Sequence, residues 1–546
     1  MHIRPSYLEA VAVITLFCAT LWLWTLPIQN NPMPFGDVDA SSHFTIGDYM
    51  VSTGHSVLKI PYPIKFRYAG QNNLLPEYLW YPPQYWTNTA IGQVIGGERI
   101  VPFFIFIAIF CSLIVLSSYF LIRNLFGVWP ALLSSFLLMF SARDYMIYLW
   151  GQWPQSLSYA FTPLVLYCVY RYCDSHMHQE NQELKRKKPF YAIMLGIFIA
   201  AQFFFHPQGM IASVGASIVY IVLLSAKERK LPLSIKDALL VGGIILISMV
   251  VFAPFNVGDF FIELLPHDDG TQSEGKNIQL GKLFHWYQGI KNDLGLPDFY
   301  FTYNQTHGSL HGGIWSWWTL PFLLIGIGVL ALRRRPQELL MLGWLISYYF
   351  LTRLAVIGMG TRDIRMFAYE AHVFYPIIAL GILALPSLLP QGMPRFGAKY
   401  GVIAAFFILG TAINGASAYE VLKSQQFSIG RINPFQFEAA EWIKSNLPSE
   451  AGIYDFGTLG FQNYAAKVKW LGVLSQRHFI VDDNQKSMLD YVFIDYTDGI
   501  FLKQAGQGGA DGYLAAIQQF EQQFQNLTPL YNKNNIRVYK VDGLNI

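Results

Sequence analysis

Two aspartates and a histidine follow the first apolar run of the chain within one short polar segment. This acidic segment reads Gly36-Asp37-Val38-Asp39-Ala40-Ser41-Ser42-His43. Carboxylates at this spacing can serve as a general base, hold a cation or bind a sugar hydroxyl. A structural alternative is that Asp39 caps a helix beginning at Ala40. The residue types alone leave both interpretations open.

The composition indicates a membrane protein. Of the 546 residues, 53% are apolar and only 13% are charged, about half the charged share of a typical soluble protein. So few charged groups cannot cover a chain of this size with polar surface. The chain also contains no Walker loop, dinucleotide fingerprint or basic patch of the nucleic-acid-binding kind, so no nucleic-acid partner is expected.

Long apolar runs predict a polytopic α-helical membrane protein. A helix needs roughly 20 apolar residues to cross a hydrocarbon core, and by this measure the chain has about eleven spans. The predicted spans cover residues 7–26, 100–122, 126–142, 154–173, 189–206, 209–226, 237–254, 312–332, 337–353, 369–389 and 400–417.

The distribution of basic residues predicts the orientation of these spans. Alternate short loops carry Lys and Arg, which mark the cytoplasmic side. The basic residues in these loops are Arg4, Arg123, Lys185 to Lys188, Lys227, Arg229, Lys230, Arg333 to Arg335, Arg395 and Lys399. We therefore expect an integral plasma-membrane protein with a cytoplasmic N-terminus and an extracytoplasmic acidic segment. Compact loops and the lack of sorting signals favour a prokaryotic origin.

Two domains are predicted. Residues 1–417 would form a transmembrane domain with long outer loops at 27–99 and 255–311. Residues 418–546 would form an extracytoplasmic α/β domain, because helical and β-type patterns alternate there. Helices are expected at 435–447 and 512–524, and strands at 453–454, 468–473, 478–481, 491–494 and 536–539.

Two outer arginines and one histidine are further candidates. Arg362 and Arg365 depart from the positive-inside pattern, and a guanidinium matches the geometry of a phosphate. The alternative is an interfacial pair with Asp363, Glu370 or lipid headgroups. His206 precedes Pro207 at the end of a span, where it could face the same cavity or bond a helix end.

The arrangement of motifs resembles the GT-C glycosyltransferases, membrane enzymes that use polyprenyl-phosphate-linked sugars. The acidic segment follows the first span, and its outer loop closes with the aromatic stretch Trp80-Tyr81-Pro82-Pro83-Gln84-Tyr85-Trp86 and with Gly96-Gly97. A turn with the sequence Gly151-Gln152-Trp153-Pro154-Gln155-Ser156 precedes the fourth span. The resemblance implies that Asp37 or Asp39 is catalytic. In such an enzyme we expect His43, Gln152, His206, Arg362 and Arg365 to contact the substrate or the lipid phosphate, the arginines because of their charge and position.

The tail is similar to the outer domain of oligosaccharyltransferase catalytic subunits. That family carries Trp-Trp-Asp-Tyr-Gly at the head of the domain, where the acceptor binds, and this chain reads Gly452-Ile453-Tyr454-Asp455-Phe456-Gly457. Asp455 is thereby implied in the acceptor site. The family also has a second acidic metal-binding motif after the third span, whereas this chain has Arg143-Asp144 without a second acid. The incomplete motif leaves open whether a divalent metal, Mg²⁺ or Mn²⁺, binds at Asp37 and Asp39, and it favours transfer of a single sugar.

These observations predict a glycosyltransferase that moves a sugar from a polyprenyl-phosphate donor to a protein or glycan acceptor at the outer surface. An outer-loop aspartate would be the general base, and the anomeric configuration would invert. The partners would be membrane lipid, the donor and the acceptor. One alternative is oligosaccharyltransferase-like transfer of a lipid-linked glycan to Asn. A second alternative is a scaffold without catalysis or a glycolipid transporter.

Overall fold

A computed structural model gives the fold. It describes residues 5–36, 38–54, 83–178, 180, 182–253, 316–351, 370–388, 395–424, 431–456, 464–480, 489–506 and 508–541. Outer loop 255–311 and the residues Asp37, Arg362 and Arg365 lie outside these ranges.

A helix occupies every predicted span, and further helices lie between the spans. In chain order the helices are α1 (Pro5–Trp24), α2 (Leu26–Asn30), α3 (Val38–Thr53), α4 (Gln84–Gly96), α5 (Val101–Phe126), α6 (Val128–Met139), α7 (Ala142–Trp150), α8 (Trp153–Ala160), α9 (Thr162–Met177), α10 (Gln182–Phe205), α11 (Pro207–Glu228), α12 (Ile235–Phe252), α13 (Ser316–Arg333), α14 (Pro336–Leu351), α15 (Glu370–Ala384), α16 (Arg395–Leu409) and α17 (Ala416–Ser424). A π-helical segment, Gly410–Gly415, joins the last two.

Six helices in the described ranges are long and apolar enough to cross a membrane. They are Tyr7–Trp24, Val101–Phe126, Lys185–Phe205, Pro207–Glu228, Ile235–Phe252 and Gly397–Lys423. Shorter apolar helices lie at Val128–Met139, Thr319–Arg333 and Glu370–Ala384. A polytopic helical protein is thereby confirmed, while the count of about eleven spans and their orientation stay predictions.

The acidic segment enters a helix earlier than expected. Helix α3 begins at Val38, so Asp39 lies in its first turn and does not cap a helix from Ala40. A carboxylate is favourable in a first turn because the unpaired backbone N–H groups and the helix dipole place positive charge there. The segment is therefore a structured helix start within the predicted outer loop 27–99.

The tail folds into a small α/β unit around a five-stranded sheet of order β2-β1-β3-β5-β4. Its strands are β1 (Gly452–Phe456), β2 (His478–Ile480), β3 (Tyr491–Asp495), β4 (Tyr531–Lys533) and β5 (Ile536–Lys540). Strand β1 pairs in parallel with both β2 and β3, whereas β5 runs antiparallel to β3 and β4. Its helices are α18 (Pro434–Asn446), α19 (Tyr464–Ser475), α20 (Thr497–Gln504) and α21 (Ala510–Glu521).

One predicted strand is wrong. Residues 468–473 lie in helix α19, which connects β1 to β2. Two parallel neighbouring strands need a crossover connection, and a helix usually supplies it. The apolar run reads equally well as a buried helix face, since α19 buries Val468, Trp470 and Leu471. The short strand β4 and helix α20 were not predicted.

Candidate active site

The acidic segment and the turn at Gly151 lie in direct contact. The backbone at Gly151 has φ +91°, and a Cβ atom there would be 2.3 Å from the Cβ of Ala40 and 2.7 Å from its nitrogen. Gly36 has φ +114°, and a Cβ atom there would be 2.4 Å from the same Ala40 Cβ. Two motifs about 110 residues apart thus meet at Ala40, and the contact leaves room only for glycine at both positions.

This contact predicts that Gly151→Ala is destabilising beyond the ordinary strain of positive φ. Gly97→Ala is the matched control, because Gly97 has φ +66° and nothing within 4 Å of a Cβ atom. The control should lose about 1–2 kcal/mol from backbone strain, and Gly151→Ala should lose about 1–3 kcal/mol more through overpacking against Ala40. Thermal unfolding of both variants in detergent measures this difference. Equal losses would contradict the close contact.

His43 lies in a buried aromatic cage. Its ring centroid is 5.3 Å from that of Tyr85, 6.1 Å from that of Trp86 and 6.3 Å from that of Trp153. The indole N–H of Trp86 donates to His43 Nδ1 at 3.2 Å. The acidic segment, the end of the aromatic stretch and the turn at Gly151 therefore converge on this imidazole. Because Nδ1 accepts a hydrogen bond, Nε2 carries the proton of the neutral ring.

Of the two aspartates in the acidic segment, Asp39 is the one that the structure describes. It is half-buried in the first turn of α3, one residue from the Ala40 contact. The N-terminal end of a helix stabilises a carboxylate and also an anionic group that approaches it. Asp39 is therefore held in a preorganised, locally positive setting at the point where three sequence motifs meet.

The α/β unit reaches this site through Trp470 of α19. The indole N–H of Trp470 donates to the carbonyl oxygen of Gly36 at 3.0 Å. The same ring packs against Phe44 at 5.5 Å and Phe104 at 6.4 Å between ring centroids. These side chains belong to one buried cluster that also includes Ile453 of β1. The tail is thus docked on the helix that carries Asp39.

A half-buried arginine supplies a second link between the membrane helices and the α/β unit. Arg99 binds Asp48 of α3 with two hydrogen bonds, 2.6 Å from Nε and 2.7 Å from Nη2. It also binds Glu441 of α18 at 2.6 Å and the carbonyl of Leu474 at 3.0 Å. Burial alone would lower the pKa of Arg99, but its hydrogen bonds and the charges of Asp48 and Glu441 outweigh this and raise it.

A buried Asp–His pair was not selected from the sequence. Asp144, near the start of α7, contacts His372 Nε2 at 2.8 Å through its Oδ1 atom, and both side chains are almost inaccessible. The other carboxylate oxygen of Asp144 is buried without a hydrogen bond among the described residues. Both residues are ionisable groups at the edge of apolar runs, where such groups are costly and usually functional. Asp144 has no second acid beside it, so no acidic motif marks it in the sequence.

The remaining predicted residues have separate positions. His206 is buried at the start of α11, where its Nδ1 accepts from the backbone N–H of Gln208 at 3.2 Å, in agreement with the helix-end alternative. Gln152 lies in the turn at Gly151, just before α8. Asp455 is 0% exposed in β1. The acceptor role of Asp455, and the roles of Asp37, Arg362 and Arg365, stay predictions.

Arg431 is a half-buried guanidinium that the sequence interpretation missed. Its Nη2 atom donates to the carbonyls of Pro27 and Asn31 at 3.2 and 2.7 Å, next to the end of α2. Its Nε and Nη1 atoms are buried and have no hydrogen-bond partner within the described ranges. Burial lowers the pKa of Arg431 to about 10. A buried guanidinium in this state favours an anion as its partner.

The described residues do not form a metal site. No three His, Cys, Asp or Glu side chains in the described ranges come together in an arrangement that could hold an ion. Asp39 is the one predicted ligand that these ranges contain, since Asp37 lies outside them. Asp144, the acid after the third span, is bound to His372.

Comparisons with known proteins identify the fold. A family model described as a family of unknown function (DUF6541) matches residues 4–423. No curated protein matches the chain significantly. The structure is similar to ArnT from Cupriavidus metallidurans in the apo state, with a TM-score of 0.56, 12% identity and coverage of 97% of this chain and 98% of that chain. It is also similar to the Archaeoglobus fulgidus oligosaccharyltransferase, with a TM-score of 0.53, 14% identity and coverage of 91% and 70%.

The similarity confirms the predicted GT-C-like fold. A second ArnT structure, bound to undecaprenyl phosphate, matches with a TM-score of 0.53 and 11% identity over 97% of each chain. At these identities the comparison establishes the architecture of an integral membrane protein and leaves the chemistry to be argued from the site.

Proposed function

The chain belongs to the family of unknown function DUF6541, and the description of that family gives no activity. From the fold and the site, we propose that the protein is a membrane glycosyltransferase that transfers one sugar from a polyprenyl-phosphate donor to an acceptor hydroxyl. The observation that carries the proposal is the convergence of the acidic segment, the aromatic stretch and the turn at Gly151 around Asp39 and His43.

The size of the chain favours transfer of a single sugar. It matches almost the whole length of ArnT but 70% of the oligosaccharyltransferase chain. The ArnT of the second structure binds undecaprenyl phosphate, which supports a lipid phosphate as the carrier here. The sequon-binding Trp-Trp pair is also missing before Asp455. Transfer to Asn is accordingly the less favoured alternative.

The chemistry needs one base and one stabilised leaving group. Asp39 or Asp37 accepts the proton of the acceptor hydroxyl, and the oxygen attacks the anomeric carbon from the face opposite the phosphate. The bond between the anomeric carbon and the phosphate oxygen breaks, so the polyprenyl phosphate departs with the electron pair and the configuration inverts. His43, whose Nδ1 accepts from the indole N–H of Trp86, would line the donor site beside Asp39.

Positive charge must stabilise the departing phosphate as its negative charge grows. Arg362 and Arg365 are proposed for this task from their predicted position on the outer side. Arg431 is a further candidate, because two of its nitrogen atoms lack a partner among the described residues. Arg431 also lies at the outer end of the first helices, where the headgroup of a lipid donor would be held.

The proposed site lies at the outer membrane surface. Residues 1–417 would form the membrane domain, and residues 418–546 would cover the site from the extracytoplasmic side. The N-terminus would be cytoplasmic, and the acceptor, a protein or a glycan, would enter from outside with Asp455 near its path. Membrane lipid would surround the isoprenoid tail between the helices.

A transfer assay tests the proposal. The purified full-length protein in lipid nanodiscs is incubated with a panel of radiolabelled undecaprenyl-phosphate monosaccharides and with membrane extracts that supply acceptors. We expect label to move from the lipid to a water-soluble or protein fraction, with inversion at the anomeric carbon seen by NMR. Binding of undecaprenyl phosphate without turnover of any donor would instead favour the scaffold or transporter. Transfer to a sequon peptide that stops with a chelator would favour the oligosaccharyltransferase alternative.

A further inference from the structure

The α/β unit contributes one side chain directly to the backbone of the acidic segment. Trp470 of α19 is fully buried, and its indole N–H donates to the carbonyl oxygen of Gly36 at 3.0 Å. That carbonyl belongs to the peptide unit that leads into Asp37. A peptide unit is planar, so a hydrogen bond to its oxygen fixes the orientation of the whole unit.

The hydrogen bond from Trp470 restrains a residue that has few conformational limits of its own. Gly36 has φ +114° and no side chain, and glycine populates many backbone conformations. Its carbonyl oxygen precedes α3 and therefore takes no part in the hydrogen bonds of that helix. Gly36 and Gly151 both lie against Ala40, and Trp470 adds a hydrogen bond to the Gly36 carbonyl.

The ring of Trp470 is itself rigidly placed. It packs against Phe44 of α3 and Phe104 of α5. At the end of α19, the backbone carbonyl oxygens of Val473 and Leu474 accept hydrogen bonds from Arg99. Arg99 in turn binds Asp48, about two and a half turns along α3 from Asp39. The α/β unit thus fixes both the start and the later part of the helix that carries the proposed base.

We propose that Trp470 is a positioning residue, which holds the Gly36 carbonyl so that Asp39, in the first turn of α3, faces the donor. The catalytic centre is therefore completed by the α/β unit, which does more than shape an acceptor path. This inference rests on the proposed glycosyl transfer, but its structural part can be measured without a substrate.

The test separates the hydrogen bond from the packing. In one variant, 3-benzothienylalanine replaces Trp470, which keeps the ring shape and replaces N–H by sulfur. Trp470→Phe is the encoded companion variant. The matched control is Trp442→Phe, because Trp442 packs on Tyr531 inside the same unit, 5.1 Å between centroids. All variants are made in the full-length protein and studied in nanodiscs.

Amide hydrogen exchange of the peptide covering residues 34–45 is the first measurement. Loss of the hydrogen bond at the Gly36 carbonyl lets the backbone of this segment open more often, which exposes its N–H groups to exchange. We therefore expect exchange to rise about tenfold in both Trp470 variants and to stay unchanged in Trp442→Phe. In the transfer assay, kcat should fall about tenfold while the KM for the lipid donor changes less than twofold, because the base is misplaced and the donor site is intact.

The outcomes distinguish the two proposals. One outcome refutes the role of Trp470 and leaves the reaction as proposed. In it, the benzothienyl variant keeps wild-type exchange and kcat, while the double variant Asp37→Asn, Asp39→Asn loses transfer. If the aspartate variants also keep full activity, the proposed function fails as well. A global rise in exchange across α19 and α3 would mean that the variant undocks the unit, and it would also overturn a local positioning role.

Discussion

Replacing Asp39 by asparagine is expected to abolish glycosyl transfer while leaving the protein folded. Asparagine has the same shape and is accepted at the start of a helix. The lost attraction between carboxylate and helix dipole costs only about 0.3–1 kcal/mol. Removal of a general base lowers the rate by about 10²–10⁴-fold. The effect on kcat should therefore far exceed the effect on stability.

Asp37→Asn belongs to the same experiment, since the sequence leaves open which aspartate is the base. The initial rate of sugar transfer is measured for each single variant and for the pair, together with thermal unfolding. Asp511→Asn is the control, because Asp511 pairs with Lys503 on the exposed surface of the α/β unit. Full activity in both single variants would place the reaction centre elsewhere. An equal loss of unfolding temperature and activity would indicate a structural role.

Replacing Arg99 by methionine is expected to cause the largest loss of stability. The Arg99 and Asp48 side chains are 18% and 8% exposed, so the substitution leaves a buried carboxylate without its counter-ion. Breaking such a pair from one side costs about 3–5 kcal/mol. It also removes the link from α3 to Glu441 and to the end of α19. We therefore expect earlier unfolding of the α/β unit and a loss of transfer at temperatures where the native protein is active.

A second arginine in the same chain provides the control. Arg123 binds Glu9, but these side chains are 43% and 24% exposed, and exposed pairs contribute about 0–1 kcal/mol. Thermal unfolding in detergent should thus separate Arg99→Met from Arg123→Met by several degrees. Adding Asp48→Leu to Arg99→Met should recover part of the loss, because it removes the buried charge. Equal stabilities for the two arginine variants would show that the Arg99 network does not hold the unit.

The helical architecture was largely predictable because it follows from local physics. A long apolar run has no favourable place in water, and in lipid it must satisfy its backbone as a helix. The helices therefore lie where the runs of apolar residues predict them. The error at residues 468–473 has a tertiary origin. An isolated apolar run is compatible with a strand or with a buried helix. Here β1 and β2 are parallel neighbours, so the chain between them must cross over, and it does so as a helix.

The candidate site was predictable only in part. The acidic segment, the aromatic stretch and the turn at Gly151 could be selected by residue type, but their mutual contact could not be derived. The sequence predicted His43 as a substrate ligand, which stays a prediction. Only the structure shows that three aromatic rings surround it. Asp144 and His372 are 228 residues apart, so neither residue alone indicates the pair. Arg431 lies in no recognisable sequence motif, so its contacts with Pro27 and Asn31 could not be predicted.

By itself, the sequence determined a membrane protein with an acidic segment after its first helix and an α/β tail. Composition and periodicity carry this information because they act over one helix or strand at a time. Only the tertiary structure decided that the tail reaches back to that segment. Trp470 and Gly36 are 434 residues apart, and Arg99 and Glu441 are 342 apart. Such contacts depend on how complete elements pack, which no single helix or strand reveals in its own sequence.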